Sequence, residues 1–391
     1  MKTIPIITIK PGFSKPFWAG NPLVYPKAIE NEGKLNLGDW VCVNDAKHVP
    51  IAYGFYNPHS MYRVRLIAWA NEGKQFSDLK TAVARRIQDA IALRQMLNLP
   101  NELTNAYRLI NSEGDKLSGL TVDVLGDYLV AQVTASYVMQ QKDLIEELLS
   151  TQFLNKKIIW RAHEKSLQQD GWMGDKFSSE SISENITIKE NGILYQIDPQ
   201  EGQKTGFYCD QRETRLLVRS IAKNKKVLDA CCFNGGFALN AALGGASVVT
   251  GVDTSNIAIT LAQENARTNN YKINFIEQEA LKTLTETKPM DLIILDPPKL
   301  APSHKHLNNA KRKYLQLNKA ALMALAPGGY LLTCSCSQAM SLQDFTQILL
   351  DAGLACNKNI QIIKTGFAGP DHPQALAFSH GSYLKWLLVR V

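Results

Sequence analysis

The apolar residues change their spacing along the chain, and each change marks a different kind of structure. Residues 4–9, 40–43 and 62–67 are short β-type runs, separated by turn clusters rich in Gly, Pro and Asn. Together these runs predict a small β domain over residues 1–70.

The middle of the chain mixes helical and strand patterns, with Gly126 and Asp127 as a hairpin turn signal. The predicted order is a helix, a hairpin, a second helix and a strand, at residues 76–99, 120–124 with 128–133, 142–149 and 157–160. A polar stretch over residues 178–190 is typical of a linker. We therefore expect a small central α+β domain with its linker over residues 71–190.

After residue 193 the strands become continuous apolar runs that alternate with helices, as in a buried parallel sheet. The predicted strands are residues 226–230, 247–253, 274–276, 291–296 and 329–334. Residues 191–391 are thus predicted to be a doubly wound α/β domain. Ligands of such domains bind at the carboxyl ends of the strands.

Two carboxylates at strand ends indicate a nucleoside cofactor. Asp229 closes the first of these strands, and Asp253 closes the second, where it can accept both ribose hydroxyls. Cys231 and Phe233 occupy the positions of the first two glycines of a dinucleotide loop. A nicotinamide oxidoreductase is therefore the least favoured interpretation, and S-adenosylmethionine fits better. The candidate cofactor residues here are Asp229, Phe233, Asn234, Gly235 and Asp253.

A second chemical motif follows the fourth strand, in Asp296-Pro297-Pro298-Lys299. Consecutive prolines lack backbone donors and turn the chain out of the sheet, which presents Asp296 to a substrate. Methyltransferases acting on exocyclic amines usually place an aromatic residue after the prolines. Lys299 stands there instead, and it suits a phosphate.

Two thiols, Cys334 and Cys336, lie at the end of the fifth strand. Carbon 5 of a pyrimidine is a poor nucleophile, but addition of a thiolate to carbon 6 gives an enamine-like ring that can take a methyl group. Such a thiol needs a lowered pKa. The spacing alone does not choose between the two residues.

Taken together, these segments resemble the bacterial large-subunit ribosomal RNA cytosine-5 methyltransferase family of RlmI type. That family has an N-terminal PUA domain, a small central α/β domain and a class I (Rossmann-like) methyltransferase domain with a mostly parallel sheet. The matching segments include Gly119-Leu120-Thr121-Val122-Asp123, Gln203-Lys204-Thr205-Gly206-Phe207-Tyr208, Asn234-Gly235-Gly236-Phe237, Asp296-Pro297-Pro298-Lys299, Ser335-Cys336-Ser337 and Asp371-His372-Pro373.

The resemblance implies roles for single residues. Cys336 takes the place of the nucleophile, and Asp296 would hold the ring nitrogen and amino edge of cytosine. Glu279 stands where the family usually has an Asp that holds the adenine amino group. The base that removes the carbon-5 proton stays unassigned. The strap of the cofactor pocket would include Lys204, Thr205, Gln211 and Arg212.

Composition adds a polyanionic partner to this picture. Lys and Arg number 43 against 36 Asp and Glu, a net charge of +7. In residues 1–70 basic and aromatic residues are interleaved, which suits RNA. We expect RNA contacts from Lys15, Lys27, Arg63, Arg65 and Lys299. The cysteines number seven, an odd count without CxxC pairs, which indicates reduced thiols and no metal site.

The leading hypothesis is an S-adenosylmethionine-dependent enzyme that forms 5-methylcytosine in ribosomal RNA, with the large subunit implied by resemblance. Methylation of a guanine nitrogen and an inactive RNA-binding ribosome-assembly protein are the alternatives. No apolar run approaches the roughly 20 residues that span a bilayer, so we expect a cytoplasmic protein without membrane contact. A homodimer is a further arrangement to be tested.

Overall fold

The computed structural model describes residues 4–174, 186–198, 206–378 and 381–391. The chain divides into two compact units. The first unit contains Met1–Asn185, Asp198–Phe207 and Pro370–Gly381, and the second contains Ile186–Ile197, Tyr208–Gly369 and Ser382–Val391. No helix of the described residues has the length and apolar character needed to cross a membrane.

The first unit begins with a β sheet, as the sequence predicts. Its strands are β1 (Ile6–Ile9), β2 (Leu23–Val24), β3 (Ile29–Asn31), β4 (Trp40–Asn44), β5 (Pro50–Tyr56) and β6 (Val64–Trp69), with the short helix α1 (Lys15–Trp18) after β1. They are arranged in the order β2-β6-β5-β4-β1-β3, in which only the β1–β4 pair of these described strands is parallel. Fully buried aliphatic residues such as Ile7, Val41 and Leu66 form its core.

A second sheet of the first unit has the order β10-β9-β8-β7. Its elements are α2 (Leu79–Met96), β7 (Ala106–Asn111), β8 (Leu120–Leu125), β9 (Tyr128–Val133), α3 (Ser136–Gln140), α4 (Lys142–Gln152), β10 (Lys157–Ala162) and α5 (Glu164–Gln169). The predicted hairpin pairs Leu125 with Tyr128. The first helix starts later than predicted because Asp78 caps it, accepting a hydrogen bond of 2.8 Å from the Thr81 N–H.

A buried ion pair links the first sheet to the residue that follows α5. Arg65 on β6 donates from Nη2 to Asp170 Oδ1 at 3.1 Å and from Nη1 to Ser118 Oγ at 2.6 Å. The other Asp170 oxygen accepts from the Ser136 N–H at 2.8 Å, and the Asp170 carbonyl accepts from Asn57 at 2.8 Å. The Arg65 and Asp170 side chains are only 7% and 5% exposed. Each charge therefore depends on the other for compensation.

The second unit starts with a strand in the polar stretch that predicts a linker. Strand β11 (Ile186–Glu190) pairs with β12 (Ile193–Ile197) in an antiparallel hairpin, while residues 175–185 lie outside the described part of the chain. Alternate residues of β11 are buried, and the Glu190 carboxylate accepts hydrogen bonds of 2.8 and 2.9 Å from Arg215 Nη1. Its polar composition conceals a half-buried strand with an internal ion pair.

The large sheet of the second unit has the order β15-β14-β13-β16-β17-β19-β18. Strands β13 to β17 run parallel, and β19 is antiparallel to both of its neighbours. The strands are β13 (Lys226–Ala230), β14 (Val248–Asp253), β15 (Asn274–Glu277), β16 (Met290–Leu295), β17 (Leu325–Ser335), β18 (Gln361–Phe367) and β19 (Lys385–Arg390). This confirms the predicted mostly parallel α/β sheet.

One helix precedes the first strand of this sheet and the others lie in the connections between its strands, as expected for a doubly wound domain. They are α6 (Arg212–Ile221), α7 (Gly236–Leu243), α8 (Asn256–Thr268), α9 (Ala280–Glu286), α10 (Leu307–Met323) and α11 (Leu342–Ala355). The central strand β16 has no exposed surface at Leu292, Ile293, Ile294 or Leu295. Burial on both faces explains why its sequence is an uninterrupted apolar run.

We expect Arg65→Met to destabilise the first unit. Methionine keeps the apolar volume of the side chain but leaves the buried Asp170 carboxylate without its cation, which costs about 3–5 kcal/mol. Urea unfolding followed by circular dichroism measures this loss. Lys15→Met at an exposed position is the control and should change stability by less than about 0.5 kcal/mol. Equal stabilities of the two variants would contradict the structural role of the ion pair.

Candidate active site

Asp296 and Cys336 each follow directly after a strand at the same edge of the large sheet. Asp296 comes after β16 and Cys336 after β17, and these parallel strands pair Leu295 with Thr333. The Ala301 N–H donates to Ser337 Oγ at 3.0 Å, which ties the loop after Asp296 to the turn after Cys336. The structure therefore brings together the predicted carboxylate and the predicted thiol.

The predicted cofactor carboxylates lie along the same edge. Asp229 is on β13, next to β16, and pairs with Ile294, while Asp253 ends the adjacent strand β14. Asp253 accepts hydrogen bonds from the N–H groups of Phe233 (2.9 Å) and Ser255 (3.0 Å), one on each carboxylate oxygen. A carboxylate held in this way keeps a second lone pair on each oxygen for two ribose hydroxyls.

The loop between β13 and α7 has an unusual backbone. Cys231 and Phe233 have φ values of 73° and 49°, and Gly235 follows at 83°. A Cβ atom at Gly235 would lie 3.0 Å from the Phe275 ring. Left-handed conformations cost energy for residues other than glycine and cluster at ligand sites. The loop is consequently held close to the sheet edge, where a cofactor can approach its backbone.

Burial makes Asp229 an unusual acid. Its side chain has no exposed surface, and one oxygen accepts from the Ala238 N–H at 2.9 Å while Oδ1 has no hydrogen-bond partner among the described residues. Burial raises the pKa of Asp229 to about 8, and the negative charges of Asp296 and Asp253 act in the same direction. This edge therefore attracts a cation.

The predicted strap residues are only partly described. Gln211 and Arg212 are buried, and Gln211 donates from Nε2 to Asp296 Oδ2 at 3.0 Å. Lys204 and Thr205 lie outside the described residues. Gln211 thus positions the carboxylate of Asp296, a contact that the sequence did not indicate.

The thiols at this edge differ in exposure. Cys334 is fully buried within β17, and burial together with the charge of Asp296 raises the pKa of its thiol well above the ordinary value. Burial also raises the pKa of Cys231. Cys336 lies beyond the end of β17 and is half-buried. Of Cys334 and Cys336, only Cys336 combines access with a position beside Asp296.

Three site residues were missed as functional candidates. The half-buried Tyr208 packs edge-on against Phe233 with ring centroids 5.3 Å apart. Burial raises its pKa, and the charges of Asp210, Asp296 and Cys336 add to this effect. The other two are the buried Tyr314, whose hydroxyl lies 3.4 Å from Ser337 Oγ, and the buried Lys385. Only Tyr208 carried a sequence signal, as part of a family-like segment.

The remaining predicted residues are in varied environments. Glu279 is exposed at the start of α9. Phe233 and Asn234 lie in the loop between β13 and α7. The side-chain nitrogen of Asn234, Nδ2, is buried and has no hydrogen-bond partner among the described residues. Lys299 is exposed. A basic surface continues beyond it in the exposed residues His304, Lys305, His306, Arg312 and Lys313.

In the first unit, Lys15 and Lys27 are exposed, as are the aromatic residues Phe13 and Trp18 of the same segment of the chain. Arg65 differs, because its guanidinium is buried and bound by Asp170, so its placement argues against the expected RNA contact.

Arg63 is 18% exposed and forms an ion pair with Glu32 at 3.3 Å. Its guanidinium is thus partly engaged within the first unit. The sequence gives the charges of such arginines but not their internal partners.

Comparison with known proteins agrees with this geometry. Residues 164–372 match the family model of S-adenosylmethionine-dependent methyltransferases, and residues 7–69 match the PUA-like domain. The chain is 34% identical over 394 residues to ribosomal RNA large subunit methyltransferase I of Pseudoalteromonas atlantica, covering 98% of this chain and 99% of that protein. The chain belongs to the ribosomal RNA large subunit methyltransferase I family. The protein of that name from Shewanella denitrificans is 36% identical over 396 residues, with the same coverage.

A solved structure of a candidate methyltransferase complexed with SAH shares the fold. It has a TM-score of 0.82 and 20% identity, and the alignment covers 100% of both chains. At this identity the likeness shows the fold alone. Together with the family match, it confirms the class I methyltransferase fold, the N-terminal PUA-like domain and the S-adenosylmethionine cofactor predicted from the sequence.

The residues at the sheet edge fit S-adenosylmethionine. Asp229 Oδ1 and Asn234 Nδ2, which have no hydrogen-bond partner in the described part of the chain, are buried polar atoms that a ligand can satisfy. Asp253 and Asp296 provide negative charge, and Asp229 can add to it by losing its proton, for a ligand that carries a sulfonium and an ammonium group. Asp253 has acceptor capacity for the ribose.

We expect S-adenosylmethionine binding to release protons when Asp229 is protonated beforehand. The raised pKa means that the unliganded fold favours the neutral acid, so the contribution of Asp229 to stability is fully present below about pH 4 and is lost as the pH rises through about 8. A bound cation favours the ionised form. Calorimetric titration at pH 7 in buffers of different ionisation enthalpy measures the released protons.

Asp229→Asn should bind more weakly and lose the proton release. The variant should also gain thermal stability over the unchanged chain between pH 5 and pH 8. Asp351→Asn, at an exposed position on α11, is the control and should behave like the unchanged chain. Proton release that is the same in both variants would contradict the assignment to Asp229.

Proposed function

We propose that this methyltransferase forms 5-methylcytosine in large-subunit ribosomal RNA through a covalent adduct between Cys336 and pyrimidine carbon 6. The observation that carries the proposal is the half-buried Cys336 beside Asp296, at the strand ends that face the cofactor loop. Relatives that cover nearly the whole chain are named as methyltransferases of large-subunit ribosomal RNA, which supports the substrate.

The cofactor supplies an electrophilic methyl group on a sulfonium. On the protein side, Asp253 would hold the ribose hydroxyls, and Asp229 would hold the positively charged end. Gln211 and Arg212 would line the pocket, and Phe233, Asn234 and Gly235 would provide the loop that the ligand approaches. Lys204 and Thr205 stay cofactor contacts predicted from the sequence. Glu279 is our proposed contact for the adenine amino group.

The proposed chemistry starts at Cys336. Its thiolate forms a bond to carbon 6, and the electron pair of the carbon 5–carbon 6 double bond makes carbon 5 nucleophilic enough to take the methyl group, whose bond to the sulfonium breaks and leaves a neutral thioether. A base, to which the proposal assigns no residue, takes the carbon-5 proton. The electron pair of that bond then restores the double bond and expels the thiolate. Asp296, positioned by Gln211, would hold the ring nitrogen and amino edge of the cytosine during these steps.

RNA binding is proposed at two basic surfaces, each described within its own unit. In the first unit it consists of Lys15 and Lys27 with nearby aromatic residues, a combination that neutralises phosphates and stacks on bases. In the second unit the proposed surface consists of Lys299 and the exposed basic residues that precede α10 or lie within it.

The PUA-like match over residues 7–69 supports the first surface. The three-domain division at residues 70 and 190, the cytoplasmic location and the homodimer stay predictions within this proposal.

Replacement of Cys336 tests the reaction. Ribosomal RNA from cells that lack the gene is incubated with the purified chain and labelled S-adenosylmethionine, and the digested nucleosides are identified by mass spectrometry. We expect 5-methylcytidine from the unchanged chain and none from Cys336→Ser, because the serine hydroxyl is not ionised at neutral pH. Cys334→Ser is the matched control and should remain active, since burial keeps that thiol out of reach.

Measurements of S-adenosylmethionine binding by two variants complete this experiment. Cys336→Ser should still bind S-adenosylmethionine, whereas Asp253→Asn should bind it weakly. A methylated guanine as product, or 5-methylcytidine made by Cys336→Ser, would overturn the proposed chemistry. Absence of S-adenosylmethionine binding would instead favour an RNA-binding assembly protein.

The basic surface of the first unit predicts a salt effect. Log affinity falls as log salt concentration rises, and each phosphate contact contributes about 0.9 to the steepness of this fall. We expect the double variant Lys15→Ala and Lys27→Ala to make the fall less steep by about 2. Filter binding of ribosomal RNA fragments at several salt concentrations measures the slope. Lys80→Ala, at a lysine paired with Glu147, is the control. An unchanged slope in the double variant would place the RNA elsewhere.

A further inference from the structure

We propose that Lys385 is a positioning residue that stabilises the Cys336 thiolate and holds the turn that carries it. This inference rests on the proposed function, in which Cys336 is the nucleophile. Nothing in the sequence indicates the role, because Lys385 opens an apolar strand next to Trp386 and Leu387.

Geometry places the Lys385 ammonium under the turn after Cys336. Lys385 is the first residue of β19 and pairs with Ser335, the last residue of β17. Its side chain is almost fully buried, and Nζ donates to the carbonyls of Ser337 (2.8 Å) and Met340 (2.6 Å). These hydrogen bonds enclose the residues that follow Cys336 and fix the lysine beside it.

The charge of Lys385 is not matched by a carboxylate in these contacts. Among the described residues its acceptors are neutral main-chain carbonyls, and a buried ammonium without a counter-ion is costly. Burial lowers the pKa of Lys385 to about 8, and the negative charge of a Cys336 thiolate opposes this shift. Because the interaction is mutual, an ammonium at this position favours the thiolate equally.

Among the described residues, the other titratable groups that act on this edge do not supply this positive charge. Asp296 after β16 is negative, and Tyr208, Tyr314 on α10 and Cys334 on β17 are neutral acids. The charge of Asp296 raises the pKa of all three, which shows that its field opposes new negative charge at this edge. Asp229 and Asp253 act in the same direction on Cys334 and Tyr208, respectively. A thiolate here therefore needs a cation, and Lys385 provides one.

A purely structural role for Lys385 is the competing explanation, and a second lysine offers a matched control. Lys358 also donates from Nζ to two main-chain carbonyls, those of Leu322 (2.5 Å) and Leu325 (3.3 Å), but it lies outside the cluster around Cys336. Loss of either lysine removes the same kind of hydrogen bonds. Only the loss of Lys385 should change the reactivity of Cys336.

The test measures alkylation of Cys336 by iodoacetamide from pH 6 to pH 9.5 in the full chain, with the modified peptide quantified by mass spectrometry. Lys385→Met should slow alkylation at pH 7 about tenfold, equivalent to a shift of about one pH unit. Lys385→Arg keeps the charge and should restore the rate to within about threefold. Lys358→Met should follow the profile of the unchanged chain.

Native and denatured samples of the unchanged chain make the test independent of any variant. We expect Cys336 to alkylate with a lower midpoint pH in the native chain than in urea. A native midpoint equal to or above the denatured one would overturn the proposal, as would identical profiles for Lys385→Met and the unchanged chain when both bind S-adenosylmethionine.

Methyl transfer separates this inference from the proposed function. If Cys336→Ser is inactive and Lys385→Met alkylates normally, the role of Lys385 is wrong and the nucleophile stands. If Cys336→Ser still transfers methyl groups, the proposed function is wrong whatever the alkylation shows. With both correct, Lys385→Met should lose about tenfold in turnover at pH 7 and recover part of it at pH 9, whereas Lys358→Met should not.

Discussion

The parallel pairing of β14, β13, β16 and β17 is the constraint on which the site depends. Hydrogen bonds between main chains fix the register, and the carboxyl ends of four strands therefore meet at one edge. Asp253, Asp229, Asp296 and Cys336 come from positions spread over more than a hundred residues, yet each needs only to lie within one residue of the end of its own strand. The contact between Ala301 and Ser337 then holds two of the loops together.

This edge brings together three carboxyl groups, of which Asp229 is fully buried. Asp229 shows the consequence. Its raised pKa keeps the carboxyl group neutral near pH 7, and the group should ionise when a cation binds beside it. The negative charge that favours binding of a sulfonium also disfavours formation of a thiolate at the same edge of the sheet. A site that needs both must contain a local positive charge, and the buried lysine of β19 meets that need. Cofactor attraction and nucleophile activation are thus opposing demands on one electrostatic environment.

The sequence predicts those parts of the fold and site that depend on local pattern. Continuous apolar runs identified β13, β16 and β17, so Asp229, Asp296 and Cys336 could be placed at strand ends. Partners distant in the chain left no such signal. Arg65 was interpreted as an RNA contact because its charge is visible and Asp170, 105 residues away, is not. The polar residues on one face of β11 kept it from being predicted as a strand. The apolar residues around Lys385 gave no indication that this residue has a role at the site.

The order in which the chain visits its two units has a consequence for fragments. Neither unit is a continuous stretch, since residues 198–207 and 370–381 belong to the first unit while their neighbours on both sides belong to the second. Cutting the gene at one point therefore yields two incomplete halves. A truncation before residue 370 would remove β19, and with it the central partner of both β17 and β18. Each unit completes its structure only with polypeptide that follows the other.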